Sequence, residues 1–175
     1  MNDILHNAER LREDAQLLLD HDRFHSATVL AIHSIEEIGK FLMGRWQVVN
    51  LASNRKFPSH IEKQAALFCL LSANEILKHK KRVLKLMLHD ELNMHKVGEY
   101  SSQLAWARAG LFEDLRVSAL YADQQPKLPK ELIVKIDGDL PRDLFRFIDL
   151  AFQTVRNSKA MSLAAATYTH DLGRL

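Results

Sequence analysis

Residues 24–51 read FHSATVLAIHSIEEIGKFLMGRWQVVNL. The stretch holds no proline, and only Gly39 and Gly44 weaken it as a helix. Ala27, Ala31, Ser34, Ile38, Phe41, Leu42 and Val49 recur at helical spacing and mark one face. The opposite face is mixed, with Val29, Met43 and Gly44 among His33, Glu36 and Lys40. A helix that is apolar on one side and mixed on the other predicts a central position with neighbours on both sides. Glu36 precedes Lys40 by four residues, the order in which the two side chains meet on a helix surface. Val29, Met43 and Gly44 are the positions expected to face a second copy of the chain.

Outward from this stretch, the chain reads as helices. Ile4, Ala8, Leu11, Ala15 and Leu18 form a narrow seam over residues 2–20, and the short break HDRF at 21–24 makes the first two helices antiparallel neighbours. His21 and His25 are four apart, but no further ligand stands at a fixed spacing to them, so they are read as a chance pair and no metal site is expected. After the loop ASNRKFP at 52–58, Ser59 and Glu62 form a capping box, and a third helix starts at His60. Its apolar residues run Ile61, Ala65, Phe68, Leu71 or Ser72, and Ile76, then Val83, Leu86 and Met87. The basic run Lys78–Arg82 is either a solvated face or a phosphate-facing patch. A fourth helix is predicted over 99–121, with Leu104, Ala107, Leu111, Leu115 and Ala119 inward. Residues 122–140, with Pro126, Pro129 and Gly138, read as one long loop containing a short apolar run from Leu132 to Ile136. Pro141 suits the first turn of a last helix that runs to about His170. The expectation is an all-α, up-and-down bundle of about five helices with one long loop before the last, in a single domain over residues 1–175.

Composition narrows the class. A chain of 175 residues can bury a real core, and no apolar run is long enough to cross a bilayer. Charges interrupt residues 4–19 throughout, which argues against a signal peptide. The single Cys69 lies in the apolar run AALFCLL, which predicts inert burial and fits a reducing, cytoplasmic location. A formal charge of +2 does not by itself point to nucleic acid.

Three blocks carry a resemblance. They are HSIEEIGKF at 33–41, FPSHIEK at 57–63, and RVSALYAD at 116–123 followed by Pro129. With Ala15, the short break, Phe24 and Ala27, the first two helices resemble HEPN domains. More narrowly, the three blocks in this order resemble the AbiV family of abortive-infection proteins, over most of the chain to about Pro129.

The resemblance implies a cytoplasmic phage-defence protein that halts growth or translation of the infected cell by binding or cleaving RNA. It also implies a homodimer and no cofactor. Many HEPN proteins are metal-independent ribonucleases with an Arg and a His, separated by four to six residues, on a late helix. Here the sequence departs from the pattern. Arg156-Asn157 can open such a motif, but Met161, Ser162 and Leu163 stand where the His belongs. Pairs of permitted spacing occur elsewhere, Arg55 with His60 and Arg82 with His89. Arg55 and His60 are the better catalytic candidates, because His60 lies at a helix N-terminus, where backbone N–H groups favour an anion. The alternative is a non-catalytic module that blocks a translation component or senses a phage protein.

The remaining candidates from the blocks are Glu36, Glu37, Lys40, Lys63, Arg116, Tyr121 and Asp123. Glu37 lies about 100° from the middle of the apolar stripe, at the border of the core, where a carboxylate needs a partner. The expectation is that Glu37, Lys40, His60, Lys63, Arg116, Tyr121 and Asp123 line one cleft. The plainer readings stand beside it. Glu37 and Lys40 can be a structural ion pair, Arg116, Tyr121 and Asp123 can pin the long loop, and Lys63 can be an ordinary surface lysine.

Overall fold

The structure, a computed structural model, describes residues 2–46, 58–80, 99–121 and 139–172. These form seven helices: α1 (Asn2–Asp20), α2 (Phe24–Arg45), α3 (His60–Lys78), α4 (Glu99–Arg108), α5 (Leu111–Leu120), α6 (Leu140–Thr154) and α7 (Ser158–Leu172). No strand occurs among the described residues. The protein is all-α as expected, and the higher helix count has two local causes. Gly110, at φ 83, takes the left-handed conformation that glycine adopts without cost and separates α4 from α5. Asn157 accepts from the backbone N–H groups of Lys159 and Ala160, which caps a new helix and divides the expected last helix into α6 and α7. Arg55, Arg82, His89, Asp123, the end of the central stretch at 47–51, the continuation of the third helix through Val83, Leu86 and Met87, and residues 122–138 of the expected loop at 122–140 lie outside the described residues.

Two helices form the centre. α2 is buried around most of its circumference, by α1 on one side and by α3, α5 and α6 on others. Ala8, Ala15, Ala27 and Ala31 are fully buried, so α1 and α2 approach closely, and the Ser34 hydroxyl donates to the Ala8 carbonyl at 2.7 Å. At the far side of α1, Arg12 clamps both carboxylate oxygens of Asp149 on α6 and lies over the Phe145 ring. α3 is the second central helix, buried without interruption from Gln64 to Asn74. The one-sided apolar pattern expected for it is therefore corrected. Its neighbours α2, α4, α6 and α7 leave it almost no solvent face, while Ile61 in its first turn is exposed. Phe68 anchors its middle, stacked on Phe112 at 4.7 Å and edge-on to Phe147.

Val29 and Met43 are 7% and 3% exposed. Helices of the same chain cover both side chains, so they offer no surface to a second copy. The Tyr168 hydroxyl of α7 stands 3.9 Å from the Met43 sulfur. No helix among the described residues is long and apolar enough to cross a membrane. Lys78, His79 and Lys80 of the basic run are exposed at the end of α3.

The crossing of α2 and α3 depends on Gly39. A Cβ there would lie 1.8 Å from the Lys63 carbonyl oxygen and 2.5 Å from its carbon. Only a residue without a side chain lets the first turn of α3 sit directly on α2. Gly44, by contrast, has nothing within 4 Å of such a Cβ. Gly39→Ala should therefore cost about 3 kcal/mol or more, a fall of roughly 6–12 °C in Tm, because rigid backbone must move. Gly44→Ala should be neutral or stabilise by up to about 1 kcal/mol. Thermal denaturation of the two variants checks this, and equal effects would contradict the close crossing.

Candidate functional site

Where α3 begins, Ser59 and Glu62 form the capping box: the Ser59 hydroxyl accepts from the Glu62 N–H, and the Glu62 carboxylate accepts from the Ser59 N–H at 2.6 Å. That fixes the first turn, and with it His60, Lys63 and Gln64. Gly39 brings this turn against α2, one helical turn from Glu36.

Glu36 is the centre of the site. It is 3% exposed, and its carboxylate accepts from His60 Nδ1 at 2.7 Å and from Gln64 Nε2 at 2.9 Å. His33 Nδ1, one turn earlier on α2, lies at 3.5 Å, and Lys63 Nζ at 3.8 Å. Burial pushes this carboxyl up, but hydrogen bonds from His33, His60 and Gln64 and the charge of His60 outweigh burial, bringing it down to about 2. Glu36 is therefore ionised at any physiological pH. An ionised carboxylate only accepts, so the proton of a neutral His60 sits on Nδ1 and its Nε2 carries the lone pair. The His60 side chain is 47% exposed, so the imidazole spans from the buried carboxylate to solvent.

α5 closes the other side. Arg116 donates two hydrogen bonds to Glu113, at 2.6 and 3.0 Å, and these hold the Glu113 carboxyl below its usual range and the guanidinium above its own. Glu113, His60 and Glu36 each place a potential ligand atom within 4.8 Å of the others. Lys63 and Arg116 already balance the two carboxylates, so a divalent cation would enter a neutral cluster that holds two fixed positive charges. The arrangement suits proton transfer and anion contact better than metal binding.

The cluster thus joins His60 and Lys63 of α3 to Arg116 of α5, with Glu36 of α2 rather than Glu37 as the buried acid. Glu37 pairs with Lys40 at 3.3 Å on the exposed side of α2, and Lys40 does not pair with Glu36. Rotation along the helix explains the difference. Val29, Ile32, Glu36, Gly39 and Met43 recur at three- and four-residue steps and are all buried, whereas Glu37 falls 100° outside that seam. Tyr121 ends α5, half exposed and within electrostatic reach of Arg116. His33, Gln64 and Glu113 were not among the residues expected from sequence. The seam through Glu36 and Gly39 was the available signal for the first two, and Glu113, one turn before Arg116, had only its i,i+3 spacing.

Arg156 lies elsewhere. It lines an open groove of about 640 Å³ between α1 and α6, with Leu5, His6, Glu9, Asp149, Phe152, Gln153 and Val155.

The sequence model of one known family, described as AbiV within the HEPN group, matches residues 1–137. That span holds every member of the Glu36 cluster. No curated protein and no solved structure matches the chain.

The buried carboxylate gives a pH signature. A carboxyl whose folded value lies near 2 against an unfolded 4.5 stabilises the fold fully above pH 4.5. This stabilisation, roughly 3 kcal/mol, is lost as pH falls toward 2. Glu36→Gln should therefore be less stable than the native chain at neutral pH, with the gap closing between pH 4.5 and 2. Denaturant titrations across that range check it, and a pH-independent gap would contradict the ionised, hydrogen-bonded state.

Proposed function

The chain belongs to the AbiV family of HEPN-like proteins, which suggests abortive-infection defence, and we propose that it acts there by cutting RNA at the Glu36–His60 dyad. The observation that carries this reading is the 2.7 Å contact between a buried carboxylate and a half-exposed imidazole. Such a pair orients the ring, fixes its tautomer and stabilises the imidazolium that forms when the outer nitrogen takes a proton. RNA carries its own nucleophile, the 2′-hydroxyl. His60 Nε2 takes the proton of that hydroxyl. The 2′-oxygen then bonds to phosphorus, and the bond to the 5′-oxygen breaks. The leaving oxygen takes a proton from water, and the products are a 2′,3′-cyclic phosphate and a free 5′-hydroxyl. Lys63 supplies positive charge toward the phosphate, and Arg116 supplies more once a phosphate oxygen competes with Glu113 for its fork. Homodimerisation remains part of the proposal and rests on the family, since Val29 and Met43, two of the three positions expected at the interface, are covered within the chain and Gly44 alone of them is exposed.

One observation favours the second reading, a non-catalytic module that binds a phage or translation-related protein: no His follows Arg156 at the late-helix spacing. Incubation of the purified protein with total RNA in EDTA separates the two. Cleavage should persist in EDTA and fall at least about 100-fold in His60→Ala and in Glu36→Gln. Phage protection that survives both substitutions, with no cleavage by the native protein, would establish the binder instead.

A further inference from the structure

The dyad uses one of two imidazoles that meet the buried carboxylate. His33 Nδ1 lies 3.5 Å from Glu36 Oε2, the same oxygen that His60 Nδ1 contacts at 2.7 Å. Gln64 occupies the other oxygen, Oε1, so two rings from different helices share a single atom. Both then reach toward water, the His33 side chain 36% exposed and that of His60 47%. Because the rings start from one atom, their outer nitrogens stay within reach of one phosphate group. The ionised carboxylate draws a ring N–H toward itself, which leaves each Nε2 for whatever stands in solvent. Cleavage needs two proton transfers, and the dyad supplies only the first.

We propose that His33 is the general acid of the site, and that the proton on its Nε2 goes to the leaving 5′-oxygen in place of one from water. The inference rests on the reading of His60 as the base and adds the second catalytic group. Atoms and electrons balance. His60 Nε2 takes the proton of the 2′-hydroxyl, and the 2′-oxygen bonds to phosphorus. The bond from phosphorus to the 5′-oxygen breaks with its electron pair on oxygen, and that oxygen takes the Nε2 proton of the His33 imidazolium. His60 ends charged and His33 neutral, and exchange with water resets both. Two features select His33. An imidazole is the side chain suited to exchanging protons near neutral pH, and His33 is the second one on this carboxylate. Glu36 touches both rings, so it favours the charged form of either one. The charge can therefore pass from His33 to His60 during the reaction without leaving its counter-ion. Arg116 cannot take this role, because a guanidinium does not give up its proton.

The test compares two substrates in EDTA. One is an ordinary oligoribonucleotide; the other ends in a 3′-(p-nitrophenyl phosphate), whose phenolate leaves without needing a proton. His33→Ala and His33→Asn should each slow cleavage of the ordinary strand at least about 100-fold and leave nitrophenolate release at the native rate. The asparagine keeps an amide donor for Glu36, so it removes the acid but not the contact. His60→Ala, without the base, should lose both activities. A native protein that cuts neither substrate ends the base reading, and the acid falls with it. If the native protein cuts both and His60→Ala cuts neither, the base stands and the His33 variants decide the acid alone. Equal losses on the two substrates would make His33 a structural partner of Glu36, and no loss on either would return the leaving proton to water. Both results overturn the proposal. So does the reverse pattern, in which His60→Ala keeps nitrophenolate release and the His33 variants lose it.

Discussion

The structure depends on one buried charge. The Glu36 carboxylate is removed from water, a loss that several kcal/mol of solvation would normally forbid. It is kept ionised because the first turn of α3 delivers an imidazole and an amide to it and α2 itself delivers a second imidazole. These donors reach it only because Gly39 carries no side chain. The two facts are one constraint: the close crossing makes the hydrogen bonds, and the hydrogen bonds hold the crossing. α7 supports the same turn from behind. The Tyr168 hydroxyl donates to the Glu62 carbonyl at 3.0 Å, and burial raises that phenol so that it stays a donor.

Charge balance then shapes the chemistry. Two carboxylates, Glu36 and Glu113, meet two permanent cations, Lys63 and Arg116, and the cluster's fixed charges cancel. A site so balanced holds an anion weakly until one internal pair yields. The Glu113–Arg116 pair is the one placed to yield, because both partners lie nearer the surface than Glu36 and belong to a helix only ten residues long. A ribose hydroxyl presented to His60 Nε2 would meet a base whose inner nitrogen is already committed.

Much of the fold was legible in the sequence because helical periodicity survives without context. The capping box at Ser59 and Glu62, the short turn after α1 and Pro141 in the first turn of α6 all act locally and occur where they were expected. What was not legible depended on contacts between distant segments. Gly39 reads as a weak helix former until Lys63 is set against it, and α3 looks one-sided until four helices surround it. The site was half legible. His60, Lys63 and Arg116 could be picked from their blocks, but the choice between Glu36 and Glu37 is a 100° rotation that only the second seam resolves. The apolar run around Cys69 predicts its burial, and the thiol is buried, donating to the Ala164 carbonyl.

The central claim is that an ionised Glu36 sets the His60 ring so that its outer nitrogen acts as a base. Nitrogen NMR of the isotopically labelled imidazoles tests this most directly, because it reports which ring nitrogen carries the proton. Neutral His60 should be protonated on Nδ1, and this preference should disappear in Glu36→Gln. A neutral His60 protonated on Nε2 in the native protein would contradict the dyad, and with it the assignment of His60 as the base.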